Sequence, residues 1–249
     1  VTRPDSESRR TLPRLFVESA LAPGAECLLG DNAVRHVQVL RLQPGAALTL
    51  FDGRGGQWQA QIVRIARREV SVKVGALEAV ERESPRAVML AVGMPANERM
   101  DSLIEKATEL GAAMIQPLVS QRSVMRVAGE RAERKGAHWR AVAAAACEQC
   151  GRNRLPPVAA PQPLTEFLGR GDLPPWRWLL SLDAAARPPR RPPPHHALCV
   201  LSGPEGGFTD AEEELARGVG FAPVSLGDRV LRADTAPLAA LAWLAMEDA

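Results

Sequence analysis

From Leu12 to about Gly75 apolar and polar residues alternate over short runs, LPRLFVES, ALTLFDGRGGQWQAQIVRIA and EVSVKVG, and this period of two predicts β-strands. Asp52, Gly53, Gly55 and Gly56 supply a turn between two of them. One helix is expected in between, because Val34, Val37 and Leu40 share a face of NAVRHVQVLR. Beyond the stretch ERESPR the period lengthens. AVMLAVGM (87–94), AMIQPLVS, WLLSLD, ALCVLSG and APVSLG read as buried strands. They alternate with ERMDSLIEKATELG (98–111), which carries Met100, Leu103, Ile104, Ala107 and Leu110 on one face, and with helices at about 131–149, from about 210, and over TAPLAALAWLAMED. Strands and helices in alternation predict an α/β fold with a parallel sheet covered on both faces. The expected organisation is a small β-barrel domain over 1–80, a linker at 81–86 and an α/β domain over 87–249, with a mobile tail in the first ten residues. The last helix is apolar over most of its circumference, so it is expected to be buried in the core or against a second copy.

Composition changes this picture in one respect. The formal net charge is only +2, yet the cations comprise 28 arginines and three lysines, Lys73, Lys106 and Lys135. A genome-wide preference for arginine is the first reading of much of this excess. Even so, Arg122, Arg126, Arg131, Arg134, Lys135, Arg140, Arg152 and Arg154 cluster in the middle of the chain, and such a patch can attract nucleic acid without a high overall charge. No apolar run approaches membrane-spanning length and no secretory signal pattern is present, so a soluble, cytoplasmic protein is expected. Cys147 and Cys150 have CxxC spacing, but no second pair follows, and the adjacent His195 and His196 in a proline-rich loop match zinc-ligand spacings poorly. No metal is expected.

The candidate chemistry centres on LSGPEGGFTDAEEELA, residues 201–216, a strand end, a glycine-rich turn and the start of a helix. Thr209 and Glu212 form a capping box, which places the helix start near Asp210, and Glu213 and Glu214 add negative charge. That end therefore already holds its anion. Glu205 inside the loop and the lack of a Gly-Lys-Ser/Thr sequence argue further against phosphate binding. The loop serves another ligand or is a structural turn. A dinucleotide site is also disfavoured, because AVGMPANE offers one glycine where a GxGxxG would be needed.

Three segments in order, EKATELGAAMIQPLVSQRSV at 105–124, ACEQCGRNRLP at 146–156, and LSGPEGGFTDAEE followed by LGDRVLRADTAPLAAL, closely resemble the bacterial family that methylates N3 of a uridine in 16S ribosomal RNA. The family belongs to the SPOUT class of S-adenosylmethionine-dependent RNA methyltransferases. The resemblance spans nearly the whole chain, since RHVQVLRLQPGAALTLFDGRG looks like the family's PUA-like RNA-binding domain. It implies a C-terminal trefoil knot, a homodimer, and 16S rRNA or the small ribosomal subunit as partner. Two departures stand out. Arg232-Ala233-Asp234-Thr235 replaces the usual Arg-x-Glu-Thr, and Gln121 stands where an acidic residue is common. The shorter Asp234 is less suited to direct catalysis, while an N-cap role for Asp234 or Thr235 would survive the change.

S-adenosylmethionine carries no phosphate, which suits the glycine loop. The resemblance implies cofactor contacts from Ser202, Gly203, Glu205, Gly206 and Gly207, where the missing Cβ atoms permit close approach. A second wall is expected from Leu226, Gly227, Val230, Leu231 and Ala233, with Thr235 and Ala236 following and Ser181 and Leu182 on a third side. Uracil N3 must lose its proton before it can attack. Arg232 is the candidate for stabilising the resulting charge on O2 and O4, and Glu205 the candidate acceptor, provided burial raises its pKa. RNA contacts are expected from Arg35, His36 and Arg41 in the first domain and from Lys106, Arg122, Arg152 and Arg154 in the second. Lys106 has an alternative as a surface ion pair with Glu105 or Glu109. A ribose 2′-O methyltransferase and a non-catalytic RNA-binding assembly factor are the rival readings.

Overall fold

The computed structural model describes residues 12–125, 129–193 and 195–247. The expected tail at 1–10 and Arg126 of the arginine patch lie outside them. The chain divides into two compact units, one running to Arg82 and taking in Gly151–Leu155, the other formed by Glu83–Cys150 and Pro156–Ala249.

The first unit contains β1 (Arg14–Phe16), β2 (Glu26–Leu28), α1 (Asp31–Val39), β3 (Ala47–Phe51), β4 (Gln57–Ile65) and β5 (Val70–Glu78). They form one sheet in the order β1-β3-β4-β5-β2. The alternation read from the sequence becomes facing here: Leu48, Leu50, Ile62, Val70, Val72 and Val74 are buried with Val34 and Val37 of α1. The three-residue strand β2, too short to show a period, is held antiparallel to β5 by pairing Cys27 with Val72.

Residues 151–155, expected in the second domain, pack within this first unit. Asn153 is fully buried and accepts from the Arg14 guanidinium at 2.7 Å, donates to the Val80 carbonyl, and receives Gly55 N–H on its own carbonyl at 3.1 Å. Removing the amide costs the part-buried Val80 carbonyl its donor and an Arg14 nitrogen one of its two acceptors, each loss worth about 1–3 kcal/mol. Asn153→Ala is therefore expected to destabilise the first unit by roughly 2–3 kcal/mol, visible as a lowered thermal midpoint.

The second unit runs β6 (Val88–Gly93), α2 (Asn97–Glu109), β7 (Met114–Val119), α3 (Gly129–Cys150), β8 (Gln162–Pro163), α4 (Leu164–Leu168), β9 (Trp176–Leu180), β10 (Leu198–Ser202), α5 (Asp210–Gly218), β11 (Ala222–Val224) and α6 (Thr235–Glu247). All neighbours in the sheet β11-β9-β10-β6-β7-β8 are parallel. Every residue of β10 is buried, as expected of a strand covered on both faces. Met100, Leu103, Ile104 and Ala107 of α2 are wholly buried, and the chain leaves that helix through Gly111 at φ +87°. β8 and α4 had no sequence signal.

The segment expected as a linker contains a structural residue. Arg86 is 1% exposed and donates to the carbonyls of Pro193 (2.9 Å) and His196 (3.3 Å), fastening the proline-rich loop. α6 packs against β10, β6 and α2, with Trp243 tilted against Trp178 at 5.7 Å between ring centroids. No described helix is long and apolar enough to cross a membrane. Among the described residues no group of three or more His, Cys, Asp or Glu side chains could hold a metal ion.

Candidate active site

A cavity of about 620 Å³ opens at the carboxyl ends of β9, β10 and β11, the edge of a parallel sheet where ligands usually sit. Three loops build it: 180–183 after β9, 202–208 after β10, and 224–236 leading into α6. The cavity brings together Arg232 and every expected cofactor contact except Thr235, which does not line it.

The glycine loop is clamped on three sides. Gly93 at the end of β6 lies so close to Pro204 that a Cβ there would meet its N and Cδ at 2.5 Å. Glu205 Oε1 accepts from Ala96 N–H at 3.2 Å, just ahead of α2, and pairs with Arg99 at 3.5 Å. Arg122 donates to the carbonyls of Gly206 (3.0 Å) and Phe208 (3.1 Å). Its loop is in turn tied down by Glu212, which accepts Gln121 N–H at 2.8 Å while completing the capping box with Thr209. Gly207 sits at φ +68°, a conformation costly for any residue with a Cβ.

The opposite character appears in the last loop. Val230 is 78% exposed and Leu182 70% exposed, yet both line the cavity. Apolar side chains left open at a cavity wall offer a surface for a flat apolar ligand. Arg229 and Arg232 also line it, are exposed, and have no ion-pair partner among the described residues.

The candidate RNA contacts fare differently. Arg35 and Arg41 are exposed and His36 half-buried at α1, with Arg41 at φ +52°. Lys106 is paired with Glu105 (2.7 Å) and Glu109 (2.8 Å), and those carboxylates raise its pKa. Arg152 is 4% exposed, so its guanidinium is not offered to a phosphate. Arg154 is exposed but pairs with Glu81 at 3.4 Å. The N-cap expected of Asp234 is absent. Its Oδ1 is buried without a partner, because Pro237 has no N–H to give and Ala236 N–H is taken by the Arg232 carbonyl.

Sequence reading missed Arg99, Asp183, Arg217 and Arg229, and named Glu213 only as negative charge in the first turns of α5.

Residues 82–245 match the RNA methyltransferase domain family, and residues 29–75 match its PUA domain. The chain belongs to the RNA methyltransferase family. A ribosomal RNA small subunit methyltransferase E of Synechocystis sp. is 37% identical to this methyltransferase, over 93% of this chain and 76% of its own length. The crystal structure of the Neisseria gonorrhoeae enzyme of that name, bound to S-adenosyl methionine, is 36% identical with a TM-score of 0.87, covering 94% of this chain and 96% of its own. A methyltransferase of Legionella pneumophila with bound SAM is 35% identical with a TM-score of 0.89, over 95% of this chain and 98% of its own.

Proposed function

We propose that this methyltransferase transfers a methyl group from S-adenosylmethionine to N3 of a uridine in 16S ribosomal RNA of the small ribosomal subunit. The observation that carries the reading is a cavity that joins a clamped glycine loop and open apolar walls to two unpaired arginines. Its residues fit the cofactor. Leu182 and Val230 flank space for an adenine, Gly203, Gly206 and Gly207 allow backbone approach, and the carboxylates of Asp183, Glu205, Asp210 and Glu213 suit cations rather than phosphate. When bound, S-adenosylmethionine supplies an electrophilic methyl group on a sulfonium.

The protein's part is to hold the base and favour its anion. Arg232, free of internal partners, is placed to donate to O2 or O4 as N3 loses its proton, and Arg229 adds positive charge toward the RNA. Glu205 serves as a latch: it is exposed, and its Oε1 is engaged by Ala96 N–H and Arg99, which ties the glycine loop to the start of α2. A Glu205→Gln enzyme, losing one charged pair at a half-exposed site, is expected to retain most activity and to lose about 1 kcal/mol or less of stability.

The SPOUT knot and homodimer belong to the same reading. The chain leaves the edge strand β11 and returns to seat α6 on β10, β6 and α2, and α6 keeps Met246 81% exposed. Sedimentation should give twice the chain mass. Action on ribosomal RNA and the lack of a membrane-spanning described helix agree with a cytoplasmic setting.

The decisive test is nucleoside mass spectrometry of small-subunit RNA from a strain lacking the protein, with the purified enzyme added back. Loss and restoration of 3-methyluridine is expected. A change confined to a 2′-O-methylated nucleoside would favour the ribose reading, and no change in any methylated nucleoside would remove the enzymatic one.

A further inference from the structure

On one side of the cavity Ser181, Asp183, Glu213 and Arg217 form a hydrogen-bonded network, and Asp210 lies beside it at the start of α5. Asp183, Asp210 and Glu213 line the cavity, and Arg217 stands behind them without lining it. A single nitrogen of Arg217 donates to Asp183 Oδ2 at 2.7 Å and to Glu213 Oε2 at 3.1 Å. The Ser181 hydroxyl donates to Glu213 at 2.9 Å and receives Asp183 N–H at 3.1 Å, locking both carboxylates to the end of β9. Asp183 also accepts Ala185 N–H at 2.6 Å. Arg217 and this N–H hold the Asp183 carboxyl below its ordinary pKa, so it stays ionised at neutral pH.

One guanidinium among three carboxylates leaves this wall negative. The unpaired cations of the cavity, Arg229 and Arg232, lie on a different element, the loop after β11. The acids of this wall, in the loop after β9 and on α5, thus stand apart from the two arginines of the last loop, while the other charged lining residues, Glu205 and Arg122, are engaged in holding the glycine loop. Such sorting has a use. Within the proposed reaction the donor and its demethylated product share every group except one: the donor's sulfur is a cation and the product's is neutral.

We propose that the wall of Asp183, Asp210 and Glu213, braced by Arg217 and Ser181, makes the site prefer the sulfonium donor over its thioether product. This rests on the S-adenosylmethionine reading. The consequence is turnover: the attraction that helps load the donor vanishes when the methyl group leaves, and product is released more readily.

The test is calorimetric titration of the full-length protein, Glu213→Gln and Asp183→Asn with S-adenosylmethionine and, separately, S-adenosylhomocysteine. Both replacements keep shape and remove the charge, with an N–H2 in place of one accepting oxygen, and the product titration reports any loss that comes from that lost acceptor rather than from the charge. Each should weaken donor binding about five- to tenfold while changing product binding by less than about twofold, as expected for one charge lost at short range in a partly screened site. For the unmodified protein, raising salt from about 50 to 500 mM should likewise weaken the donor more than the product, a comparison that needs no variant. Equal losses for both ligands would assign these acids to the shared ammonium or to structure and overturn the proposal. So would an unchanged ratio in the variants and across salt. If the unmodified protein binds neither ligand, the cofactor reading itself falls, which is a separate result from binding both with a ratio the wall does not control.

Discussion

Replacing Arg232 with alanine is expected to lower kcat by about 10²- to 10³-fold while leaving the affinity for S-adenosylmethionine and the thermal midpoint nearly unchanged. The reasoning starts from what Arg232 lacks. It is exposed, lines the cavity, and has no carboxylate or carbonyl partner for its side chain among the described residues, so truncation breaks no internal contact. Its backbone carbonyl, which accepts Thr235 N–H at 2.9 Å and Ala236 N–H at 3.0 Å, keeps the first turn of α6 whatever the side chain is. On the proposed mechanism the charge matters only once uracil carries negative charge on O2 and O4, and an interaction made chiefly in the transition state appears in kcat rather than in KM. Arg232→Lys should recover part of the loss, since a point charge supplies attraction but not the planar fork. Single-turnover kinetics with saturating donor and RNA would measure both. A variant that lost RNA affinity with kcat intact would reassign Arg232 to phosphate binding.

The neighbouring Arg229 provides the contrast. It lines the same cavity, is also exposed, and has no side-chain partner among the described residues, but the glycine-containing stretch 225–228 separates it from β11 and it holds no turn of α6. Arg229→Ala is expected to raise KM for RNA by about three- to tenfold with a smaller effect on kcat, because an exposed cation that meets the RNA away from the reacting atoms contributes similarly to ground state and transition state.

The α/β unit was largely legible because its signals are local. The buried runs of β6 and β10, the apolar face of α2 and the Thr209–Glu212 box each declare themselves within a few residues. The glycine loop and the loop before α6 were named as walls of one site through the family resemblance, and both line the cavity. What stayed hidden depends on long-range pairing. Asn153 lies in a stretch whose neighbours suggest a surface arginine motif, yet it is fully buried by partners 139 and 73 residues away in sequence. Arg86 sits in a polar stretch that reads as a linker and is buried by carbonyls more than a hundred residues downstream. Glu205 carries an acid's signature inside a ligand loop, and only the fold brings Ala96 and Arg99 to it. A charged side chain's role is set by the partner it finds, and pattern along the chain does not encode that partner.

Gly93 shows the same dependence with the larger consequence. From the sequence it is one glycine in AVGM at the end of a strand, with φ in no unusual region, so a replacement by alanine looks harmless. In the fold its Cα faces the backbone of the glycine loop, and an added Cβ would come within 2.5 Å of Pro204 N and 3.0 Å of the Gly203 carbonyl carbon. Neither neighbour is the end of a flexible side chain. β6 cannot retreat, because it is hydrogen-bonded on both sides, to β10 and to β7. The loop must therefore move, against the Glu205 latch to Ala96 and the Arg122 bonds to Gly206 and Phe208. A displacement approaching 1 Å at a site built from backbone groups is worth about 10²-fold. Gly93→Ala is expected to weaken S-adenosylmethionine binding by about that factor and to cost roughly 1–3 kcal/mol of stability through overpacking. Calorimetry and thermal unfolding on the same sample separate the two effects. If the variant binds the cofactor normally, the loop from Gly203 to Gly207 does not form the cofactor wall, however well it is clamped.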